Sequence, residues 1–368
     1  MLLLFDISYN TVMNFPKYTR AQAVPRVLAS RIMILDGAMG TMIQRFKLGE
    51  AQYRGQGYKG PTADVAEFQN LDKDVKGNNE LLSLTRPDVV ADIHEKYLAC
   101  GADFIETNTF GATSIAQADY DLGHLARKMN LKSAELARAA CDKFSTPEHP
   151  RYVVGALGPT PRTASISPDV NDPGVRNIDF ESLRAAYYEQ VLALVEGGSD
   201  MLLIETIFDT LNAKAALFAI DEFFDQSGER LPLIISGTVT DASGRILSGQ
   251  TVTAFWHSIR HAQPLAVGLN CALGATLMRP YIQELSRIAP DTFISCYPNA
   301  GLPNPMSETG FDETPDDTSR LLKEFAKEGL VNIVGGCCGT TPEHILAIKE
   351  AISPIETRRI FYPEALPR

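Results

Sequence analysis

The chain has 368 residues, 45% of them hydrophobic, and carries 34 lysines and arginines against 45 aspartates and glutamates, a formal net charge of −11 at pH 7. This composition is that of a globular protein, and the length accommodates either two average domains or one α/β barrel with insertions. The acidic balance argues against binding to nucleic-acid backbones or anionic membrane surfaces, because both need clustered basic side chains. No run of about 18 apolar residues, the length of a membrane-spanning helix, occurs in the sequence.

The amino-terminal residues Met1 to Phe5 form a short apolar run that no basic residue precedes and no small-residue cleavage site follows. This pattern does not match a secretory signal. Six cysteines in a chain of this length are too few for a disulfide scaffold. We therefore expect a cytosolic protein whose clustered thiols bind a metal or take part in catalysis.

Short apolar runs rich in Ile, Val, Leu and Phe recur along the chain, and each precedes a turn and a stretch of helical periodicity. This alternation is typical of parallel strands joined by crossover helices. The predicted strands cover residues 32–36, 104–107, 152–157, 201–206, 233–237, 266–270, 292–296 and 332–336. The predicted helices cover residues 86–100, 115–143, 180–197, 209–225, 250–263, 272–289, 315–329 and 341–352.

Eight strand–helix units without a break in composition favour a single (β/α)8 TIM barrel over an open doubly wound sheet. We assign residues 1–29 to an N-terminal extension, 30–352 to the barrel and 353–368 to a C-terminal tail. The segments after strands 1, 3, 5 and 7 are long, whereas most returns from helix to strand are short and contain glycine. Because active sites of such barrels lie at the C-terminal face, we expect the function at the end with the long loops.

The most specific local signal is the sequence Val-Gly-Gly-Cys-Cys-Gly-Thr at residues 334–340, which follows predicted strand 8. Adjacent cysteines form a disulfide with each other only at the cost of strained geometry, so Cys337 and Cys338 point instead to a shared metal. A third thiol, Cys271, ends predicted strand 6, and closure of a barrel brings strands 6 and 8 to one face. Three thiolates suit Zn²⁺, which at catalytic sites leaves its fourth position to water or substrate.

The same cysteines allow two simpler interpretations, as small buried hydrophobic residues or as part of a structural zinc site closed by a fourth protein ligand. Cys296, in predicted strand 7, is a less favoured candidate for that fourth ligand. Cys100 and Cys141 lie in predicted helices among apolar residues, and we expect them to serve packing alone. None of the six histidines forms a pair with metal-binding spacing at a strand end.

Two carboxylates, Asp36 and Glu205, stand at the ends of predicted strands 1 and 4. Acids in such places either accept hydrogen bonds from nearby backbone N–H groups or hold a cation such as the ammonium of an amino-acid substrate. The glycine-containing turn that begins at Gly37 offers N–H groups for the carboxylate of the same ligand. The segment Glu-Thr-Asn-Thr at residues 106–109, which contains Thr107 and Asn108, ends strand 2 and is a further candidate to orient that ligand. No nucleotide-binding glycine pattern occurs.

Five short motifs together resemble the homocysteine S-methyltransferase family over about residues 30–352: LDGAMGT at 35–41, ETNTF at 106–110, GPT at 158–160, LNC at 269–271 and GGCCGT at 335–340. Longer stretches look most like the N-terminal homocysteine-binding module of cobalamin-dependent methionine synthase. These stretches lie at residues 162–173, 208–214, 236–251 and 298–304.

The resemblance implies a zinc-bearing barrel that methylates the sulfur of L-homocysteine to give L-methionine. Cys271, Cys337 and Cys338 match the family's three zinc ligands and are the implied catalytic residues. The implied roles of Asp36 and Glu205 are contacts to the homocysteine amino group, with the turn after strand 1 near its carboxylate. In this mechanism the homocysteine thiolate attacks an activated methyl group and leaves as a thioether, a poor zinc ligand.

The resemblance also implies methylcobalamin as the methyl donor, recharged from methyltetrahydrofolate by further modules. The sequence has no complete D-x-H-x-x-G cobalamin motif, since Tyr97 stands at the glycine position after Asp92 and His94. We therefore expect the cobalamin on a separate cobalamin- or folate-binding protein or module. Two alternatives stay open: a free-standing methyltransferase that uses S-methylmethionine or betaine, and a zinc- and thiol-binding barrel without catalysis.

Overall fold

A computed structural model describes residues 15–60, 66–240, 243–307 and 310–361. Its eight strands are β1 (Met33–Ile34), β2 (Phe104–Glu106), β3 (Tyr152–Leu157), β4 (Met201–Ile207), β5 (Leu233–Gly237), β6 (Ala266–Gly274), β7 (Phe293–Asn299) and β8 (Ile333–Val334). All pairs are parallel, in the order β1-β8-β7-β6-β5-β4-β3-β2. A bridge between Leu35 and Phe104 joins β1 to β2 and closes the ring. The predicted (β/α)8 barrel is confirmed.

Fourteen α-helices accompany these strands in the described ranges, and none is long and apolar enough to cross a membrane. They are α1 (Val24–Ser30), α2 (Met39–Arg45), α3 (Glu50–Tyr53), α4 (Ala66–Gln69), α5 (Leu82–Thr85), α6 (Pro87–Ala99), α7 (Ser114–Gln117), α8 (Ala126–Phe144), α9 (Phe180–Glu196), α10 (Thr210–Ser227), α11 (Val252–Ile259), α12 (Ala275–Ile288), α13 (Pro315–Lys327) and α14 (Pro342–Ile352). Short 3₁₀ helices cover Asn79–Leu81, Ala118–Tyr120, Gly123–Leu125 and Arg260–Ala262.

The prediction of one continuous helix over residues 115–143 was wrong, because α8 begins only at Ala126. The preceding helical turns end at Asp121, whose left-handed backbone (φ 59°) cannot continue a helix. At Gly123 the chain comes back against α7 so closely that an added Cβ would lie 2.9 Å from the carbonyl oxygen of Ser114. The interruption thus depends on a close backbone approach that apolar spacing does not reveal.

Side chains of the strands alternate between the barrel interior and the layer of helices outside it. Met33, Leu35 and Phe104 belong to the inner cluster, whereas Ile34 and Ile105 pack outward against the helices. Val24 and Leu28 of α1 join the inner cluster, so α1 covers the N-terminal ends of the strands. We call that end of the barrel the base and the opposite end, where the strands terminate, the mouth. The packed interior therefore leaves space for a ligand at the mouth.

The segment after α14 is fastened to the base. The buried guanidinium of Arg358 donates hydrogen bonds of 2.7–3.0 Å to the carbonyl oxygens of Ser286, Ala289 and Thr292. In return, the Asn332 amide donates to the carbonyl oxygen of Arg358 at 2.7 Å. The domain limits at 29/30 and 352/353 stay a prediction, and the run from Met1 to Phe5 lies outside the described residues.

The predicted long loops follow β1, β3, β5 and β7 at residues 35–86, 158–179, 238–251 and 300–314. The first of them contains α2 to α5. Because each begins where a strand ends, these segments surround the mouth. The first and the last of them contribute residues to the lining of the cavity described below.

Candidate active site

Three cysteine sulfurs meet at the mouth, one from β6 and two from the turn after β8. The Sγ atoms of Cys271, Cys337 and Cys338 all lie within 4.8 Å of one another, and those of Cys271 and Cys338 are 3.9 Å apart. Zinc–sulfur bonds of about 2.3 Å in a tetrahedron place neighbouring sulfurs roughly 3.8 Å apart. The arrangement therefore fits a zinc ion with three thiolate ligands and one further position.

Backbone hydrogen bonds fix the turn that carries the two adjacent cysteines. The Cys337 N–H donates to Pro298 O at 2.8 Å, and the Ala300 N–H donates to Cys338 O at 2.9 Å. The Thr340 hydroxyl donates to Cys337 O at 2.7 Å. Gly339 has φ 82°, a value that glycine adopts readily, so the glycine in this motif permits the tight turn. The sequence thus specifies a rigid support for two of the three sulfurs.

Hydrogen bonds among the three thiols shift their pKa values in different directions. Hydrogen bonds from Cys337 and Cys338 stabilise the Cys271 thiolate and lower its pKa to about 3. The hydrogen bond to Cys271 raises the pKa of Cys338 to about 12, and the pKa of Cys337 is raised well above its ordinary value. A divalent cation would reverse this pattern and favour ionisation of all three, because its charge outweighs the mutual repulsion of the thiolates.

Three carboxyl groups face the same cavity: Asp36 and Glu205, which are buried, and Glu106, which is half-buried. Burial raises the pKa of each. Repulsion from Glu205 adds to this effect for Asp36 and Glu106, and the charge of Cys271 adds to it for Glu205, whose pKa reaches about 8. Asp36 is held in place by the Glu106 N–H, which donates to its carboxylate at 3.2 Å. No lysine or arginine lines the described part of this cavity. A cationic group of a ligand would supply the missing positive charge.

The cavity has a volume of about 460 Å³ and is lined by all eight residues that the sequence favoured for the site. The eight that line it are Asp36, Gly37, Thr107, Asn108, Glu205, Cys271, Cys337 and Cys338. A Cβ on Gly37 would lie 2.8 Å from the Tyr97 ring, so this position requires glycine. Their roles toward a ligand stay predictions.

Thr107 and Asn108 have partners within the protein. The Thr107 hydroxyl bonds that of Thr109 at 2.6 Å and accepts from the Ala156 N–H at 3.0 Å. The Asn108 amide donates to Asn79 O at 2.8 Å and to Ser83 Oγ at 3.2 Å. Both side chains therefore hold the loop after β2 against its neighbours.

The cavity lining includes two further residues: Tyr297, which sequence reasoning missed, and Glu106, which it named only as part of the candidate segment at residues 106–109. Glu106 ends β2, Asp36 follows β1 and Glu205 lies near the end of β4, and this shared position was the available signal. The Tyr297 hydroxyl is buried and has no hydrogen-bond partner among the described residues. Burial and the nearby acids raise its pKa, so it remains a hydrogen-bond donor. No sequence pattern marked it, because tyrosine is common in strands.

Cys296, the less favoured candidate for a fourth ligand, does not join the group of three. It is fully buried in the outer cluster, and its sulfur lies 3.6 Å from that of Met278 on α12. Cys141 is buried in the same outer cluster, and Cys100 packs against it, as predicted. Within the ranges that the structure describes, the triad is the one metal-compatible group of His, Cys, Asp and Glu.

Comparison with known proteins identifies the family. The family model "Homocysteine S-methyltransferase" matches residues 33–352. Solved structures of the Escherichia coli homocysteine methyltransferase MmuM in its oxidized, metallated and apo forms share 20% identity with this chain. Each match covers 89% of this chain and 98–99% of the E. coli chain. The TM-scores are 0.65, 0.65 and 0.61, a likeness that reflects the common fold. With the family model spanning nearly the whole barrel, the chain belongs to the homocysteine S-methyltransferase family.

Proposed function

We propose that the protein is a zinc-dependent methyltransferase that converts L-homocysteine to L-methionine. The observation that carries this proposal is the presence of two complementary groups in one cavity, the cysteine triad and the three carboxyls. Homocysteine has a sulfur for the first and an ammonium for the second. Family membership and the name of the similar E. coli enzyme, a homocysteine methyltransferase, point to the same substrate.

Each set of residues has a defined task in this proposal. Cys271, Cys337 and Cys338 hold zinc, which when bound supplies the positive charge that lowers the pKa of the incoming thiol. Three thiolate ligands leave the zinc site with a net charge near −1, which keeps the substrate sulfur electron-rich. Asp36 and Glu205 accept hydrogen bonds from the substrate ammonium, and the backbone around Gly37 lies beside its carboxylate. Thr107 and Asn108 maintain the wall of the cavity between these groups.

We further propose methylcobalamin, carried by a separate protein or module, as the methyl donor. Support comes from the motifs that resemble the methionine synthase branch and from the surface around the mouth. Loops after β2, β3, β5 and β7 expose large apolar side chains there: Phe110 (44%), Val170 (97%), Leu247 (56%), Leu302 (45%) and Met306 (92%). Contiguous exposed apolar side chains mark protein-binding surfaces, and we propose that these five form such a surface. A donor of protein size has such a surface to contact.

One observation favours a small cationic donor such as S-methylmethionine or betaine instead. The cavity holds three carboxyls, whereas homocysteine supplies one ammonium. A second positive charge on the donor would balance a further carboxylate in this buried site. This alternative keeps the same acceptor and the same zinc ligands.

A donor screen combined with metal analysis tests these proposals. We expect one zinc per chain and formation of methionine from homocysteine with methylcobalamin, free or on a corrinoid protein. Reaction with S-methylmethionine or betaine alone would establish the alternative. Bound zinc without turnover on any of these donors would mean a binding protein without catalysis. We also propose a cytosolic location, because a reducing compartment keeps the three thiols free.

A further inference from the structure

Two strands at the mouth bulge next to residues of the candidate site. The pairing of β4 with β5 shifts register between Ile204 and Ile207, and that of β6 with β7 shifts between Asn270 and Gly274. Thr206 (φ 52°) and Cys271 (φ 57°) adopt left-handed backbone conformations within these bulges. Such conformations are unfavourable for residues other than glycine, above all for a β-branched threonine. The surrounding structure must therefore hold them in place.

The side chain of Asn270 connects the two bulges. Its Oδ1 accepts hydrogen bonds from the Thr206 N–H at 3.1 Å and from the Ser236 hydroxyl at 2.7 Å. Its Nδ2 donates to Thr206 Oγ1 at 2.8 Å and to Glu205 Oε2 at 3.5 Å. Asn270 is fully buried, and these four contacts use two acceptor and two donor positions of its amide. One amide thus fastens the end of β6 to the end of β4 across β5.

We propose that Asn270 is a positioning residue that determines the length of amino thiol the site accepts. Asn270 fixes the position of Glu205 relative to the neighbouring Cys271. It therefore fixes the distance between the carboxylate that receives the amino group and the cysteines that hold the metal. This inference rests on the proposed function, in which those two points bind the two ends of one substrate. A fixed distance between these two points suits one number of methylene groups between the amino-bearing carbon and the sulfur, and homocysteine has one more than cysteine.

Loss of the Asn270 amide would allow the distance between Glu205 and the cysteine triad to change. Without Asn270, the buried Ser236 hydroxyl and the half-buried Thr206 N–H would lose their partner, which is unfavourable. Thr206 would also lose the two contacts that hold its left-handed backbone, so relaxation of the bulge would let Glu205 move. The expected result is weaker discrimination between amino thiols of different length, with the cysteine triad still able to bind metal.

Thiol binding to the cobalt-substituted protein tests this inference without turnover. Absorption from thiolate-to-cobalt charge transfer gives Kd values for homocysteine and for cysteine. We expect the Kd of the unmodified protein for homocysteine to be lower than that for cysteine by a factor on the order of 10 to 100, because one methylene contributes about this much in a shaped site. In Asn270→Ser the preference should fall by roughly fivefold or more, with cobalt stoichiometry unchanged. Ser236→Ala, a milder change in the same contacts, should shift the preference in the same direction.

Asn332 at the base provides a matched control. It is also fully buried, and its amide accepts from the Ile294 N–H at 2.9 Å and donates to Thr357 Oγ1 at 2.9 Å and to Arg358 O at 2.7 Å. Asn332→Ser should lower thermal stability but leave the ratio of the two Kd values unchanged. An equal change in that variant would overturn the inference, because general loosening would then explain the effect.

The possible failures are distinguishable. If the unmodified protein binds both thiols and Asn270→Ser and Ser236→Ala keep its preference, the positioning role is wrong while the proposed function stands. If neither thiol binds at the cobalt of the unmodified protein, the proposed function is wrong and this inference falls with it.

Discussion

Buried carboxylates have basic partners at the base of the barrel and lack them in the described lining of the cavity at the mouth. At the base, the buried carboxylate of Asp103 pairs with Arg31 and with His149, both at 2.7 Å, and Asp200 pairs with Arg138 at 2.6 Å. At the mouth, the buried carboxyls of Asp36 and Glu205 and the half-buried one of Glu106 face a cavity without any lysine or arginine in its described lining. The base is complete by itself, whereas the mouth is arranged for a charge that a ligand brings.

The backbone shows the same division. In the described part of the chain, the non-glycine residues with left-handed conformations inside strands are Thr206, Cys271 and Ala272, all at the mouth. Strain and unsatisfied polar groups accumulate where a structure serves binding, at the expense of stability. Substitutions at the mouth should therefore change ligand binding or activity, and substitutions at the base should change stability.

The largest effect is expected from Cys337→Ser. Loss of one thiolate removes a ligand and the chelate with its neighbour, so activity should fall by more than about 100-fold and bound zinc should drop. Metal analysis and methionine formation measure the two results. Cys296→Ser, the same change at a buried cysteine outside the triad, should keep its zinc. Full zinc occupancy in Cys337→Ser would exclude the adjacent pair from the metal site.

Glu205→Gln should raise the KM for homocysteine by about 10- to 100-fold, the contribution of a charge-assisted hydrogen bond, and leave zinc content unchanged. Steady-state kinetics at saturating donor measures this. Glu229→Gln provides the control at the base, where Glu229 pairs with Arg20 at 2.8 Å. An unchanged KM in Glu205→Gln would assign Glu205 a structural role.

Asp103→Asn should destabilise the fold by about 2 kcal/mol at pH 7, a modest value for a buried ion pair because Arg31 is 40% exposed. Burial opposes ionisation of Asp103, but hydrogen bonds from Arg31 and His149 outweigh it and lower its pKa. The stabilisation is therefore present above the unfolded-state pKa of about 3.9 and is lost as the pH falls through the lower folded-state value. Urea unfolding between about pH 3 and pH 7 measures the difference in stability between the two proteins. A loss of stability that does not depend on pH would contradict the ion-pair explanation.

Glu106→Gln should have the smallest effect and the opposite sign, a gain of about 0.5–2 kcal/mol in the substrate-free protein at neutral pH. Burial and repulsion from Glu205 and Asp36 raise the pKa of Glu106. The unmodified protein therefore loses stability as the pH rises above the unfolded-state value of about 4.3, and the glutamine variant does not. The gain should be absent near pH 4 in thermal unfolding. A loss of stability at pH 7 would show that the mouth depends on this carboxylate for folding.

The sequence predicted the barrel and the meeting of the cysteines because both depend on periodicity and on the order of strands. Apolar runs located all eight strands, and ring closure brought Cys271 to the turn at Cys337. The bulge at Thr206 was not predictable, because a left-handed threonine depends on hydrogen bonds from a distant strand. Tyr297 was missed for a similar reason, since its exposure to the cavity depends on the pleat of β7. Long-range contacts of this kind leave no local pattern.

The hydrogen bonds that fasten Arg358 to α12 and β7 have a practical consequence for experiments on a partner. Phe361 donates its N–H to Pro290 O at 2.8 Å, and Phe15 stacks on Phe293 at a centroid distance of 5.4 Å, so both described chain ends leave from the side opposite the substrate opening. An affinity tag, a fluorophore or a sensor surface attached beside Phe15 or Phe361 would therefore lie away from that opening. A donor protein tethered there would instead need a linker long enough to pass along the whole height of the barrel.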